Sequence, residues 1–253
     1  MSSGYDLSAS TYSPDGRIFQ VEYAAKAVEK SGTAIGIRCV DGVVLGVENP
    51  IQSKMLLPGG NRRVFTVDEH VGVAMAGFAA DARKVVEISR SQSSKYRDQF
   101  GSPIPGHVLN KNLAAEFHNY TQFAYYRPFG TSVLIAVYDR DGPQLYQIDP
   151  SGVGHRYFAT AIGKAKNGAC SELEKIKFDS ITVKEAVKLI AKIIYKLHDD
   201  VKDKEFELDM SWVCDASNRK HVRVPDDVRQ EAIQQAKTEK AREEMDESDD
   251  EKA

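Results

Sequence analysis

The sequence predicts an α+β fold in which two stacked antiparallel sheets lie between two helix layers, a four-layer αββα sandwich. Three observations carry this. Apolar stretches with strand character come in pairs, and so do those with helical spacing. Asp-Gly dipeptides, which favour the φ > 0 backbone of tight hairpins, fall between the members of a strand pair at Asp41-Gly42 and Asp141-Gly142. Single strands do not alternate with single helices, the pattern a parallel sheet would need.

The first element is a helix from about Arg17 to Glu29, with Phe19, Val21, Tyr23, Ala24 and Ala27 as its apolar residues, led into by a polar arm and the turn Ser13-Pro14-Asp15-Gly16. "TAIGIRCV" and "VVLGV" then form a hairpin, and "VFTV" and "VGVAMA" a second strand pair around Asp68-Glu69-His70, ended by Gly77. A helix from Ala79 to about Phe100 follows, with Ala82, Val85, Val86 and Ile88 at helical spacing. Another runs from Pro105 to Tyr126 with Leu109, Leu113, Phe117, Tyr120 and Ala124. "TSVLIAVY", "QLYQI" and "RYFAT" read as three further strands. A helix from about Lys164 to Phe178 turns Ala165, Ala169, Leu173 and Ile176 inward. The next opens on a capping box, Thr182 to Glu185, and carries Ala186, Leu189, Ile190, Ile193, Ile194 and Leu197 on one face. The strands "FELDMSWV" and "HVRV" precede Pro225 and a charged helix. Three regions result: a flexible arm over 1–16, one domain over 17–235, and an acidic tail over 236–253 that should leave the helix and be disordered.

Composition narrows the function. The hydrophobic content of 42% is that of a protein with a real core. The balance of 34 Lys+Arg against 37 Asp+Glu gives a net charge of -3, which recommends neither nucleic acid nor a membrane surface as partner. Cys39, Cys170 and Cys214 are far apart and form no C-x-x-C, which suits reduced thiols in small core positions and an intracellular protein. The N-terminus lacks the basic and apolar regions of a secretory signal, and no apolar run is long enough to span a bilayer.

Catalytic signatures are missing. Gly163-Lys164 fails as a phosphate-binding loop because Phe158 stands where a glycine is required and Ala165 where a hydroxyl is. The histidines, His70, His107, His118, His155, His198 and His221, show no metal-ligand spacing and suit surface or capping roles, with His118 the one to watch. Ser31-Gly32-Thr33 opens the first strand, where an N-terminal threonine nucleophile would sit. Thr33 lies behind the whole arm and helix, however, so it has no free α-amine to act as base.

Tyr5-Asp6, Ser13-Pro14-Asp15-Gly16-Arg17 and Gln20-Val21-Glu22-Tyr23-Ala24 resemble the signature of the α-type subunits of the 20S proteasome. Arg127-Pro128-Phe129-Gly130, Asp149-Pro150-Ser151-Gly152 and Ala161-Ile162-Gly163 are similar to that family's later motifs, and the start Tyr5 to Ser10 with the acidic tail looks most like its type-3 branch, seventh in the eukaryotic ring. The resemblance covers about residues 4–235. It implies the N-terminal-nucleophile hydrolase sandwich with an added N-terminal helix, and a non-catalytic subunit, since Gly32 falls about where β-type subunits expose their threonine. It implies no cofactor and no metal. As partners it implies the other α subunits of a heteroheptameric ring, the β-type subunits, regulatory particles or activators, and unfolded protein substrates in transit. As location it implies cytoplasm and nucleus.

Within that resemblance Tyr5, Asp6, Pro14 and Tyr23 match gate-ordering residues of a pore-covering arm, while Leu7 replaces the commoner arginine and its ionic contact. Arg63 stands where a lysine meets an activator's terminal carboxylate, with Gly16, Glu22 and Gly77 along the pocket; Arg62 and Arg63 equally suit a solvated basic loop end. Ser248, followed by Asp249, Asp250 and Glu251, resembles an acidophilic kinase site on a tail that also suits a purely solubilising role. Two other classes stay open: a self-processing threonine hydrolase, which must begin at a threonine, and a free-standing adaptor, which would be monomeric.

Overall fold

A computed structural model describes residues 4–57, 59–201 and 203–250, with side chains through Glu243. Its strands and helices alternate in pairs. α1 (Phe19–Glu29) precedes β1 (Ala34–Arg38), β2 (Gly42–Pro50), β3 (Val64–Asp68) and β4 (Val71–Gly77). α2 (Ala79–Phe100) and α3 (Gly106–Gln122) lead to β5 (Thr131–Asp139), β6 (Gly142–Ile148), β7 (Gly154–Tyr157) and β8 (Ala159–Ile162). α4 (Lys166–Leu173), α5 (Val183–Leu197), β9 (Phe206–Cys214), β10 (His221–Arg223) and α6 (Asp226–Asp250) complete the chain.

The strands form two five-stranded sheets, ordered β10-β9-β2-β1-β8 and β3-β4-β5-β6-β7, antiparallel throughout. Each has apolar neighbours on both faces, which is why β2, β4 and β5 read as continuous apolar runs rather than alternations. The period of two assigns the faces. Ile35 and Ile37 of β1 join Ile190, Ile194 and Trp212 in a core under α4, α5 and α6. Ala34 shares the layer between the sheets with Val43, Leu45, Leu134 and Leu145, and Val28 of α1 closes its end. Val73, Met75, Leu109, Phe117 and Val133 form the third layer, beneath α2 and α3. The four-layer αββα expectation therefore holds. The capping box does too: the Thr182 side chain accepts from the Glu185 N–H, and the Glu185 carboxylate accepts from the Thr182 N–H.

Several element boundaries need correction. "RYFAT" is not one strand: it breaks at Phe158, so that β7 pairs with β6 in one sheet and β8 with β1 in the other. The Phe158 carbonyl accepts from the Arg38 N–H at 2.8 Å, and the Arg38 guanidinium covers its ring, which fixes the crossing. α3 ends at Gln122 because Phe123 is extended, freeing Tyr126 to pack on Tyr120 at 5.0 Å. α4 starts at Lys166, since Lys164 N–H and Ala165 N–H donate instead to Ser31 O and Thr33 Oγ1, and it ends at Leu173, well before Phe178.

α6 does not give way to disorder at 236. It runs to Asp250, and Ala236 is buried. Lys188, Lys192 and Lys196 of α5 pair with Glu231, Glu239 and Glu243 along it, an interhelical ladder that local composition does not reveal. Residues 1–3 of the arm and 251–253 of the tail lie outside the described residues, as do the side chains of 244–250, Ser248 included.

Three histidines are buried rather than at the surface: His70, His198 and His221. Cys39 and Cys214 are core residues as expected, Cys170 is half-buried, and burial pushes the Cys39 thiol well above its usual range. His221 joins the sheets. Its ring lies between Thr66 Oγ1 of β3 and Ser211 Oγ of β9, each at 2.8 Å, over Gly72, where a Cβ would stand 2.0 Å from the ring. Burial lowers its pKa to about 4 from 6.5, because a charged imidazolium has no counter-charge there. The folded state thus holds His221 neutral while the unfolded chain protonates it. Its stabilising contribution is complete above pH 6.5 and is lost as pH falls towards 4. Urea unfolding at pH 7 and pH 5 should show about 2 kcal/mol of this loss in the native chain, absent from the pH dependence of His221→Gln.

Candidate functional site

The start of β1 is where a nucleophile would stand. Position 32 has no space for a side chain: a Cβ there would lie 2.0 Å from the Glu48 carbonyl oxygen and 3.0 Å from Pro50 Cδ. Thr33 is buried, and its amide donates to Glu48 Oε2 at 3.0 Å while its hydroxyl accepts from the Ala165 N–H at 3.3 Å. Glu48 Oε1 is 2.8 Å from His198 Nδ1, and both residues are buried.

Glu48, His198 and Asp203 bring ligand-type atoms within 4.8 Å of one another, a grouping hidden in the sequence because Glu48 is far from the other two in the chain. Their polar atoms are already occupied. Asp203 pairs with Lys164, which holds its carboxyl below the usual range, and Glu48 is engaged on both oxygens. The cluster serves as a clasp between β2, the start of β1 and the segment before β9. His118 is exposed and interacts with Gln122 and Thr121 of its own helix, which gives it no site to serve.

Beside this strand start lies a cleft of about 510 Å³. Tyr23, Lys26 and Lys30 line one side from α1 and its end, and Gly32, Arg63, Gly77, Phe78 and Lys204 are among the other residues of its wall. Gly77 is required. Its φ is +122°, and a Cβ would stand 2.1 Å from Gly130 O. Asp81 sets that close approach: it accepts from both Arg127 Nη atoms at 2.6 and 2.8 Å and from the Gly130 N–H at 2.8 Å. Burial opposes ionisation of Asp81, but these donors outweigh it and hold its carboxyl below the ordinary range. Gly77 O in turn accepts from Arg63 Nη1 at 2.6 Å. Burial, helped by Arg83, lowers the Arg63 pKa, so this arginine is not a solvated loop end; exposed Arg62 is.

Of the residues expected along the pocket, the structure brings together Arg63 and Gly77, with Tyr23 beside them. Gly16 and Glu22 do not line it. Gly16, φ +75°, closes the turn by donating its N–H to Ser13 O at 2.9 Å. Glu22 accepts from Arg17 Nε at 2.7 Å, and that contact holds its carboxyl down. Lys26, Lys30 and Lys204 were not anticipated, since i, i+4 spacing could have grouped the first two but nothing local points to Lys204.

Along the arm, Tyr5, Pro14 and Tyr23 are exposed, and no hydrogen bond joins them to one another or to Asp6 among the described residues. The Asp6 carbonyl accepts from Gln20 Nε2, while Asp6 Oδ1 is buried without a partner. Leu7 is 85% exposed, and α1 buries only Ala24 and Val28. The arm thus holds an unsatisfied acceptor, and in α1 Phe19, Val21, Ala25 and Ala27 are half-buried while Tyr23 is exposed.

Comparison with known proteins agrees with this geometry. A family model described as "Proteasome subunit" matches residues 28–213, and a second, for the N-terminal signature of the proteasome's α-type subunits, matches residues 5–27. The alpha type-3 proteasome subunit of Arabidopsis thaliana is 54% identical, over 96% of this chain and 97% of its own. The type-3 subunit of Drosophila melanogaster is 47% identical over 91% of both, and the probable alpha type-7 subunit of Saccharomyces cerevisiae 43% identical over 94% and 84%.

Crowding at position 32 gives a direct test. Gly32→Ala should destabilise the chain by roughly 2 kcal/mol, the cost of overpacking against β2 backbone rather than a flexible side chain. Thermal unfolding of the two chains measures it; an unchanged midpoint would mean that the strand start is open.

Proposed function

The chain belongs to the proteasome α-type subunit family, with a structural role in the α ring of the 20S core, and from that premise we propose that it is a non-catalytic gating subunit with a docking cleft for activators. The observation that carries the reading is the strand start that follows α1: position 32 has no room for a side chain, and Thr33 is buried with its amide and hydroxyl both engaged. Burial of Thr33, with its amide held by Glu48 and its hydroxyl by the Ala165 N–H, disfavours a self-processing threonine hydrolase.

In this reading the half-bare face of α1 packs on neighbouring α subunits, a head-to-tail contact that closes into a ring when each interface repeats the rotation. The arm covers the pore. Asp6 Oδ1, buried and unpartnered, accepts from a neighbouring arm, and Tyr5, Pro14 and Tyr23 supply further contacts. Each such hydrogen bond contributes ~1 kcal/mol net, and a partner preferring the open state by about 5.5 kcal/mol converts a gate from almost fully closed to almost fully open. With Leu7 in place of an arginine, this arm closes through hydrogen bonds and apolar contact rather than an ion pair.

Activator C-termini dock in the cleft lined by Arg63, their carboxylates drawn by its charge. The β-type subunits, unfolded substrates in transit, residence in cytoplasm and nucleus, and phosphorylation at Ser248 belong to the same proposal. Incubation with an acidophilic kinase should add one phosphate to the native chain and none to Ser248→Ala; equal labelling of both would remove the site.

Core particles carrying this chain without residues 2–12 should hydrolyse a fluorogenic peptide faster than intact particles before any activator is added, by several-fold, with the tagged chain migrating in a particle of many subunits. Unchanged hydrolysis would remove the gating role. Migration as a monomer would favour the adaptor class instead.

A further inference from the structure

Several cationic side chains of this protein are answered by carboxylates. Lys188, Lys192 and Lys196 each face a glutamate of α6, Lys164 faces Asp203, and Arg127 faces Asp81. The cleft beside Gly32 is different. Lys26 and Lys30 from the end of α1, Arg63 from the segment before β3 and Lys204 from the segment before β9 converge on it, and no carboxylate lines it. None of the three lysines forms an ion pair among the described residues, in a chain whose overall charge is -3. Lys26 and Lys30 are also suited to the negative end of the helix dipole. That reason does not apply to Arg63 and Lys204, which bring two further cations to the cleft; Lys26 also lies 5.8 Å from the centre of the Tyr23 ring and near Glu22.

We propose that this cleft binds a small, multiply phosphorylated anion of the inositol-polyphosphate or short polyphosphate class. The proposal rests on the reading of the cleft as a docking site and names a second ligand for it. Charge and size both favour clustered phosphates. One terminal carboxylate neutralises one of four cations, whereas an anion with several phosphates answers all of them. The cleft's volume of about 510 Å³ lies in the range that encloses a whole small molecule. Gly32 and Gly77 leave bare backbone on its wall, with Arg63 anchored to Gly77 O, so the guanidinium is fixed before the ligand arrives. The lysine ammoniums supply the remaining contacts as point charges. A bound polyphosphate would compete with any partner that enters by its carboxylate.

Inositol hexakisphosphate titrated calorimetrically into the full-length chain at low salt is the test. Saturable binding that weakens with added salt is expected, and weakening by roughly tenfold in the Lys26→Gln/Lys204→Gln double variant, as loss of two exposed charge contacts would give. Both lysines are exposed, so the variant should melt as the native chain does. Lys26→Arg/Lys204→Arg should keep the affinity. No binding, or binding indifferent to the glutamine pair, would overturn the proposal. A peptide with a free C-terminal carboxylate, titrated in parallel, separates the two readings: peptide binding without phosphate binding removes this inference alone, and loss of both removes the docking cleft.

Discussion

At the start of β1, backbone meets backbone with no side chain between. Gly32 lies against the carbonyl of Glu48, and Gly163, at φ +96°, lies so near Gly32 that a Cβ would be 2.4 Å from its carbonyl oxygen. β1, β2 and β8 are drawn together here, α1 ends immediately before, and α4 begins immediately after. The Glu48 carboxylate locks the junction by accepting from Thr33 on one oxygen and facing His198 on the other. Such a buried pair adds little net stability over an apolar one, but removing one partner strands the other at several kcal/mol, so the arrangement specifies one geometry.

A second close approach, Gly77 against Gly130, shapes the cleft next to the first. Asp81 gathers Arg127 and the Gly130 amide, Gly130 crowds Gly77, and Gly77 holds Arg63. An Arg-Pro-Phe-Gly motif distant in sequence thereby sets the position of an arginine in the cleft. Because the guanidinium is tied, its long side chain is already ordered, whereas exposed basic loops incur that ordering cost on binding.

The two ends of the chain are built on opposite terms. α1 is fastened to the sandwich by two buried residues, Ala24 and Val28, with Phe19, Val21 and Ala27 half-buried. α6 is fastened within the chain. Its ladder to α5 joins Lys188, Lys192 and Lys196 to glutamates one or two turns apart, and exposed pairs of this kind are individually weak. Collectively, and with Ala232 and Ala236 buried against the sheet-side core, they extend the helix past the point at which its composition alone would let it fray.

By itself the sequence determined the paired strands and helices, the Asp-Gly turns, the span of α2 and the Thr182 capping box, because periodicity and turn chemistry are properties of neighbouring residues. It also carried the family, through motifs that are continuous in the chain. Only the tertiary structure decided where continuity is broken: the crossing at Phe158, the early ends of α3 and α4, the length of α6, and His221 between the sheets. The same holds for the site. Arg63 and Gly77 were legible through resemblance, Gly16 and Glu22 were placed elsewhere by local pairings with Ser13 and Arg17, and the convergence of Lys204 with Lys26 and Lys30 was invisible. Those outcomes depend on contacts between residues far apart in the chain, and the energies that select them arise only when the sheets are stacked and water has been excluded.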